Sequence, residues 1–128
     1  MLSYTTVGTN NMPEAIRFYS AIFEVLDQLP RPGWTNEWVS WGSQLKDGYA
    51  FCVCAPFDGA ASTVGNGTML AFIASSEEQV RAFHAAGLRN GGSDEGAPGT
   101  RQAYGPDFYV AYLRDPDGNK LACAFDRA

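Results

Sequence analysis

The side chains that most often bind metals or transfer protons are scarce in this chain. Its 128 residues include one histidine, His84, and three cysteines. A metal centre with two histidines is therefore impossible, and an odd number of cysteines does not make a disulfide framework. His84 stands beside a helical apolar stripe, in Arg-Ala-Phe-His-Ala-Ala. That position favours a structural, partly exposed histidine on an outer helix over a general base in a cleft.

The three cysteines allow two interpretations. Cys52 and Cys54 share one face of a predicted strand, and together with Cys123 they could bind a soft metal or form a redox site. The simpler alternative is three buried thiols that behave as small apolar side chains. No Cys-x-x-Cys motif favours the first interpretation. Reduced thiols are in keeping with a cytoplasmic protein.

Composition narrows the classes of partner. The net charge is −5, and the nine basic residues are scattered, which argues against nucleic acid as a partner. No charged-then-apolar signal segment opens the sequence, and no apolar run approaches the roughly 20 residues that span a bilayer. We therefore expect one cytoplasmic domain over 1–128, with no membrane partner.

The sequence repeats a pattern at a shift of 64 residues, which is half of its length of 128. The shift aligns Asn11 with Ser75 and Glu14 with Glu78, which predicts two helices that begin with capping boxes. Further along the helices it pairs Ile16 with Val80, Arg17 with Arg81, Tyr19 with Phe83 and Ala21 with Ala85. The repeat predicts a first module over 1–58 and a second over 65–128.

Each predicted helix is framed by β-rich segments. Apolar alternation and turn residues predict strands at 2–7, 37–41, 49–54, 68–74, 108–113 and 120–125, with turns at 46–48 and 115–118. Weaker signals suggest strands at 26–30 and 101–104. The Gly- and Pro-containing segment 94–99 suggests a flexible acidic loop, which is either an ordinary solvated loop or a gate of the cleft. The prediction is an α+β fold of two tandem βαβββ modules, whose curved mixed sheets enclose a cleft.

This layout resembles the vicinal oxygen chelate superfamily, which includes glyoxalases, bleomycin-resistance proteins and extradiol dioxygenases. The most specific matches are Ala-Ile-Arg-Phe-Tyr at 15–19, Gly-Asn-Gly-Thr at 65–68 and Arg-Asp-Pro-Asp-Gly-Asn-Lys at 114–120. The resemblance covers essentially the whole chain, and it implies the glyoxalase-like fold.

The resemblance also implies where a divalent metal would be held in enzymes of the superfamily. The position of the first histidine is occupied by Tyr4, and the position of a histidine after Asn-Gly-Thr is occupied by Met69. The final glutamate corresponds to Ala122, and no carboxylate occurs at 51–54. Hard divalent metals need imidazole or carboxylate donors. The sequence therefore predicts no metal site and no cofactor.

Strand alternation predicts what replaces the metal site. If Met69 and Ala122 point into the cleft, Ala71, Ile73 and Ala124 do so too, whereas Leu70, Phe72, Cys123 and Phe125 face the helices. Tyr4 and Thr6 should line the cleft from the first strand. Several aromatic residues surround it, and most are expected to fill the core or an interface: Trp34, Trp38, Trp41, Tyr49, Tyr104, Phe108 and Tyr109. Trp34 and Tyr104, which lie in loops, are the better candidates for ligand contact.

Two functions agree with this pattern. The first is metal-free binding of an apolar or aromatic small molecule by a homodimer, as the bleomycin-resistance branch implies. The second is a glyoxalase-like lyase or isomerase, similar to lactoylglutathione lyase, that works without metal or with unusual ligands. Its acid–base candidates are few: Tyr4, Tyr104, Asp107 and Glu37. Arg101 and Arg114 could meet an anionic group, although Arg114 is expected to pair locally beside Asp115.

Overall fold

A computed structural model describes residues 1–43 and 48–128. The elements run β1 (Tyr4–Gly8), α1 (Met12–Val25), β2 (Trp38–Gly42), β3 (Ala50–Cys54), β4 (Leu70–Ile73), α2 (Glu77–Arg89), β5 (Ser93–Arg101), a 3-10 turn (Gln102–Tyr104), β6 (Gly105–Arg114) and β7 (Lys120–Asp126). Most of the predicted turn at 46–48 lies outside the described residues. Among the described residues, no helix is long and apolar enough to cross a membrane.

The strands form two mixed sheets. The first sheet has the order β1–β3–β2, with β1 parallel to β3, and the second has the order β4–β7–β6–β5, with β4 parallel to β7. The remaining strand pairs are antiparallel. Two sheets with two helices confirm the predicted α+β, glyoxalase-like class, and the sheets are not closed.

The strand predicted at 26–30 is largely wrong. Leu26 is the C-cap of α1, so its backbone belongs to the end of the helix. Only Pro30 forms a bridge, with Trp41 of β2. Backbone hydrogen bonds at Leu29 and Arg31, both 2.9 Å long, flank the bridge. The first sheet therefore has a short fourth segment beside β2 in place of a full strand.

The N-cap hydrogen bonds of the two helices show how far the predicted capping boxes form. Asn11 caps α1 as predicted, because its Oδ1 accepts a 3.1 Å hydrogen bond from the Glu14 backbone N–H. The cap of α2 is Ser76 and not Ser75. The side chain of Gln79 accepts the Ser75 N–H at 2.7 Å, and its backbone N–H is bound by Ser76 Oγ at 3.1 Å. Gln79, and not Glu78, is thus the capping partner.

Residues 94–99 form part of β5 and are not a loop. The pairing of β5 with β6 contains register shifts next to Gly96 and Gly99, which are irregularities of the kind seen in β-bulges. Gly and Pro are typical of loops, but bulges on an edge strand accommodate both residues. The strand predicted at 101–104 is also wrong, because Gln102–Tyr104 forms the 3-10 turn between β5 and β6.

One apolar core joins the helices and both sheets. Phe51 of the first sheet and Phe72 of the second meet edge to face, with ring centroids 5.4 Å apart, and Phe23 of α1 lies 5.3 Å from each of these rings. Such aromatic pairs add to the stability gained from burial. Trp41 belongs to this core and is 2% exposed, as the core-filling interpretation predicts.

A polar turn at 115–119, between β6 and β7, connects the second sheet to the first half of the chain. Asp115 is 3% exposed and accepts four hydrogen bonds, of 2.5 to 3.0 Å, from the Tyr19 hydroxyl, the Asp117 N–H and the backbone and side chain of Asn119. Asn119 also donates to the Gly8 carbonyl at 3.0 Å. The turn therefore joins α1, the end of β1 and the β6–β7 hairpin.

Candidate functional site

The face of the first sheet that points away from the core, its outer face, carries small polar side chains in register. Thr6 pairs with Cys52, and Cys52 pairs with Ser40, so these three side chains lie side by side across the strands. Arg31, from the segment beside β2, donates from Nη1 to Ser40 Oγ at 3.3 Å. Cys52 and Ser40 are buried, whereas Tyr4 at the start of β1 is 48% exposed.

The cysteines do not form a joint site. Cys123 packs in the core of the second sheet, while Cys52 and Cys54 lie in the first sheet. Burial raises the pKa of Cys52, although the charge of nearby Arg31 opposes the shift, and burial raises the pKa of Cys123 to about 12. Protonated thiols are poor nucleophiles and poor metal ligands. The structure favours the interpretation of buried, apolar thiols.

The outer face of the second sheet has a row of small residues beside a tyrosine. Ala71 of β4, Ala122 of β7, Tyr112 of β6 and Gly96 of β5 are in register across the four strands. The alternate side chains pack on the core, which confirms the predicted alternation: Leu70, Phe72, Cys123 and Phe125. Ala71 is exposed, but Ala122 is only 1% exposed and so lies beneath its neighbours.

The residues predicted to bind ligand are distributed over separate cavities. Thr6 lines a cavity of about 840 Å³ in the first sheet, and Met69 and Ala71 line one of about 660 Å³ beside β4. Tyr104 lines a third, of about 580 Å³, at the end of β6. Among the described residues, the lining of these three cavities does not include four of the predicted residues: Tyr4, Trp34, Ala122 and Ala124. Ligand contact by all eight stays a prediction.

Comparison with known proteins shows the family to which this architecture belongs. The model of the glyoxalase/bleomycin resistance protein/dioxygenase superfamily matches residues 1–123. The chain belongs to this superfamily. A glyoxalase/bleomycin resistance protein from Albidiferax ferrireducens T118 is 40% identical, with 98% of each chain covered and a TM-score of 0.83.

More distant members of the superfamily share the fold. A glyoxalase-related enzyme from Fulvimarina pelagi is 20% identical, with 98% of this chain and 88% of that chain covered and a TM-score of 0.76. A lactoylglutathione lyase from Agrobacterium tumefaciens is 16% identical, with 98% and 92% covered and a TM-score of 0.65. A comparison with curated proteins finds no significant match.

The residues at the superfamily's metal-ligand positions do not fit a divalent metal. Ala122 offers only a methyl group, and Met69 offers a thioether, which suits soft metals such as copper(I). Tyr4 would have to ionise, and a tyrosine hydroxyl ordinarily has a pKa near 10. Across residues 1–43 and 48–128, no three His, Cys, Asp or Glu side chains are grouped so that they could hold a metal ion.

The two aromatic candidates in loops differ in how firmly they are held. Trp34 is 36% exposed; its indole N–H donates to the Ser40 carbonyl at 3.1 Å, and its ring meets Trp41 edge to face at 5.0 Å. Tyr104 is 60% exposed and meets Phe108 edge to face at 5.9 Å. Tyr104 therefore presents most of its surface to the cavity and to solvent, whereas Trp34 is anchored along one side.

His84 and Arg114 have partners that the sequence did not predict. His84 lies on α2 as expected, but it is 9% exposed, and its Nε2 lies 2.8 Å from Asp94 Oδ1 of β5. That hydrogen bond is the main cause of the lowered pKa of Asp94. Arg114 pairs locally as expected, because its Nη1 donates to the Gly118 carbonyl of the turn at 2.8 Å. Its Nε also contacts Glu95 of β5 at 2.7 Å, a partner that the sequence did not predict.

Sequence reasoning missed Tyr112 and Lys120. The two share the outer face with Ala122, because Tyr112 is the register partner of Ala122 and Lys120 stands two residues before it. The Lys120 ammonium lies 5.4 Å from the centroid of the Tyr112 ring. The alternation that places Ala122 and Ala124 on this face also places Tyr112 and Lys120 there when it is continued along β6 and β7.

Proposed function

We propose that this chain is a metal-free small-molecule-binding member of the superfamily, which holds an apolar or aromatic ligand on the outer faces of its sheets. The observation that carries the proposal is the lack of suitable metal donors at the metal-ligand positions, above all at Ala122, whose side chain is a methyl group. Catalysis of the superfamily's metal-dependent kind needs a Lewis acid held by about three proper donors. Exposed Ala71 and Tyr104 supply apolar and aromatic surface of the type that lines small-molecule sites.

We propose further that the protein is a cytoplasmic homodimer in which a second copy covers part of these faces. The support is the apolar surface around the cavity beside β4, where Met69 is 42% and Ile73 92% exposed. Exposed apolar surface of this kind marks interaction sites. Ile73→Arg should convert a dimer to a monomer in light scattering, whereas Phe57→Arg, at a side chain that is 108% exposed in the linker, should leave the dimer intact.

The binding proposal is tested with N-phenyl-1-naphthylamine, a neutral aromatic probe that fluoresces when it enters apolar sites. We expect saturable binding, a higher melting temperature with the probe present, and the same affinity after treatment with a chelator. Affinity that falls on chelation and returns with a divalent ion would contradict the metal-free proposal. Turnover of glyoxalase-type substrates that Tyr4→Phe abolishes would instead contradict the binding function, because that result would favour the lyase or isomerase.

A further inference from the structure

Two cations flank one tyrosine ring on the outer face of the second sheet. The Arg101 guanidinium carbon lies 5.7 Å and the Lys120 ammonium 5.4 Å from the centroid of the Tyr112 ring. Both distances are within the range of cation–π attraction. The Tyr112 ring thus lies close to two positively charged side chains, one from β5 and one from β7.

The position of Arg101 is fixed by the irregular part of β5. Its Nη1 donates to the carbonyls of Gly99 and Thr100 at 3.0 and 3.3 Å, and its Nη2 donates to the carbonyl of Ala97 at 2.7 Å. Gly96 leaves room for it, because a Cβ there would lie 3.1 Å from Arg101 Nη2 and 2.8 Å from the Tyr112 ring. Of the five N–H groups of a guanidinium, Nε–H and one on Nη2 have no partner among the described residues.

The positive charge of this cluster is not neutralised within the described part of the chain. Arg114, the register partner of Lys120, pairs with Glu95 at 2.7 Å, whereas neither Lys120 nor Arg101 forms an ion pair with a described residue. The charge of Arg101 contributes to the lowered pKa of Asp94, but the Asp94 carboxylate is hydrogen-bonded to His84. Uncommitted cations are notable in a chain with a net charge of −5.

An apolar cavity adjoins the cluster. Tyr112 also lines the cavity of about 580 Å³ that contains Tyr104 and Phe108. At its far end this cavity contains two carboxylates, Asp107 and Asp126. Phe108 pairs with Asp126, and Tyr112 with Ala122 four residues further along the strands, so the carboxylates and the cations lie at opposite ends of this face. A negative ligand group would therefore be repelled at one end and attracted at the other.

We propose that Arg101, Tyr112 and Lys120 form an anion subsite and that the ligand is an amphipathic organic anion, whose apolar or aromatic body rests near Tyr104 and Phe108. The inference rests on the proposed binding function and adds the charge class of the ligand. The anionic group, whether carboxylate, sulfonate or phosphate, accepts from Lys120 and from the free N–H groups of Arg101. Charge-assisted hydrogen bonds of this kind are stronger than neutral ones.

A matched pair of probes separates the two proposals. 1-Anilinonaphthalene-8-sulfonate has the aromatic skeleton of N-phenyl-1-naphthylamine plus one sulfonate. We expect the sulfonate to bind about tenfold more tightly than the neutral probe at low salt, with a smaller preference at high salt. Lys120→Gln should remove most of that preference and leave the affinity for the neutral probe unchanged.

Arg81→Gln is the control variant. Arg81 also lies over a tyrosine of β6, with its guanidinium carbon 5.8 Å from the Tyr109 ring, but Tyr109 is on the face of the sheet that packs against the core. Removing the charge of Arg81 should not change the preference for the sulfonate. If the preference falls equally in Arg81→Gln and Lys120→Gln, the anion subsite is wrong, because the preference then depends only on the overall charge of the protein.

Other outcomes are equally decisive. Equal affinity for both probes in the unmodified protein would overturn the anion subsite and leave the binding proposal standing. Absence of binding by either probe would instead contradict the binding function itself. If Lys120→Gln weakens self-association and leaves the probe preference intact, the cations serve a subunit contact and the subsite is wrong.

Discussion

The turn at 115–119 connects β6 and β7, and both strands also contribute to the outer face of the second sheet. The two regions differ in whether their charged side chains have partners. In the turn, the carboxylate of Asp115 is buried and accepts four hydrogen bonds. On the outer face, Arg101 and Lys120 keep a charge that no described carboxylate neutralises. A buried carboxyl group with four hydrogen-bond donors stabilises the fold through those bonds, whereas a partly exposed cation without an ion-pair partner is free to bind a ligand.

The comparison also explains why the resemblance predicted the fold better than the function. The specific motifs at 15–19 and 114–120 contain Tyr19, Asp115 and Asn119, which bond to one another across the two halves of the chain. Their hydrogen bonds connect the two halves of the chain. The metal-ligand positions, such as Ala122, contribute little to that network and can change their chemistry without loss of the architecture.

The largest effect is expected from Asp115→Ala. The substitution leaves the Tyr19 hydroxyl and the donors of the turn without their acceptor in a buried place, which should lower the free energy of unfolding by about 3–5 kcal/mol. Urea denaturation measures the loss. Asp58→Ala, which removes a single exposed hydrogen bond to the Ala60 N–H, should cost less than about 0.5 kcal/mol. Similar losses in the two variants would show that the turn does not hold the halves together.

A smaller effect is expected at the outer face from Gly96→Ala. The added Cβ would lie 2.8 Å from the Tyr112 ring, so Tyr112 and Arg101 must move. Overpacking of this kind costs about 1–3 kcal/mol, and the preference for the anionic probe should fall as well. Gly99→Ala is the matched control, because its Cβ would meet only Arg101 Nη1 at an ordinary 3.5 Å. An unchanged probe preference in Gly96→Ala would show that Arg101 does not contribute to binding of the anionic probe.

The smallest effect is a pH dependence at the turn. Burial is the main cause of the raised pKa of Asp115, and the hydrogen bonds from Tyr19 and Asn119 oppose it. A raised folded-state pKa means that the stability from this group is fully present below the unfolded value of about 3.9 and is lost as pH rises through the folded value. The stability of the unmodified protein relative to Asp115→Asn should therefore fall as pH rises above about 4, by at most about 1.4 kcal/mol per pH unit. A relative stability that increases over this range would mean that the hydrogen bonds outweigh burial.

The success of sequence reasoning followed the strength of the local signals. Apolar periodicity and the side chain of Asn11 fixed α1 and its start, and alternation placed Phe72 and Cys123 on the core side. Residues 94–99 are wrongly predicted as a loop because Gly and Pro dominate the local pattern, whereas their strand is stabilised by pairing with β6, which that pattern does not show. Alternation along β6 and β7 predicts that Tyr112 and Lys120 share a face, but Arg101 joins them only through the bulged geometry of β5, which the local sequence does not specify.

Whether this chain holds a divalent metal is decided by native mass spectrometry of the protein, purified without chelator and then exposed to Ni²⁺, Zn²⁺ and Mn²⁺ in turn. We expect subunits with the mass of the polypeptide alone before exposure, and no stoichiometric adduct afterwards, because Tyr4, Met69 and Ala122 do not provide a set of donors. One divalent ion per subunit, retained through buffer exchange and removed only by a chelator, would contradict it.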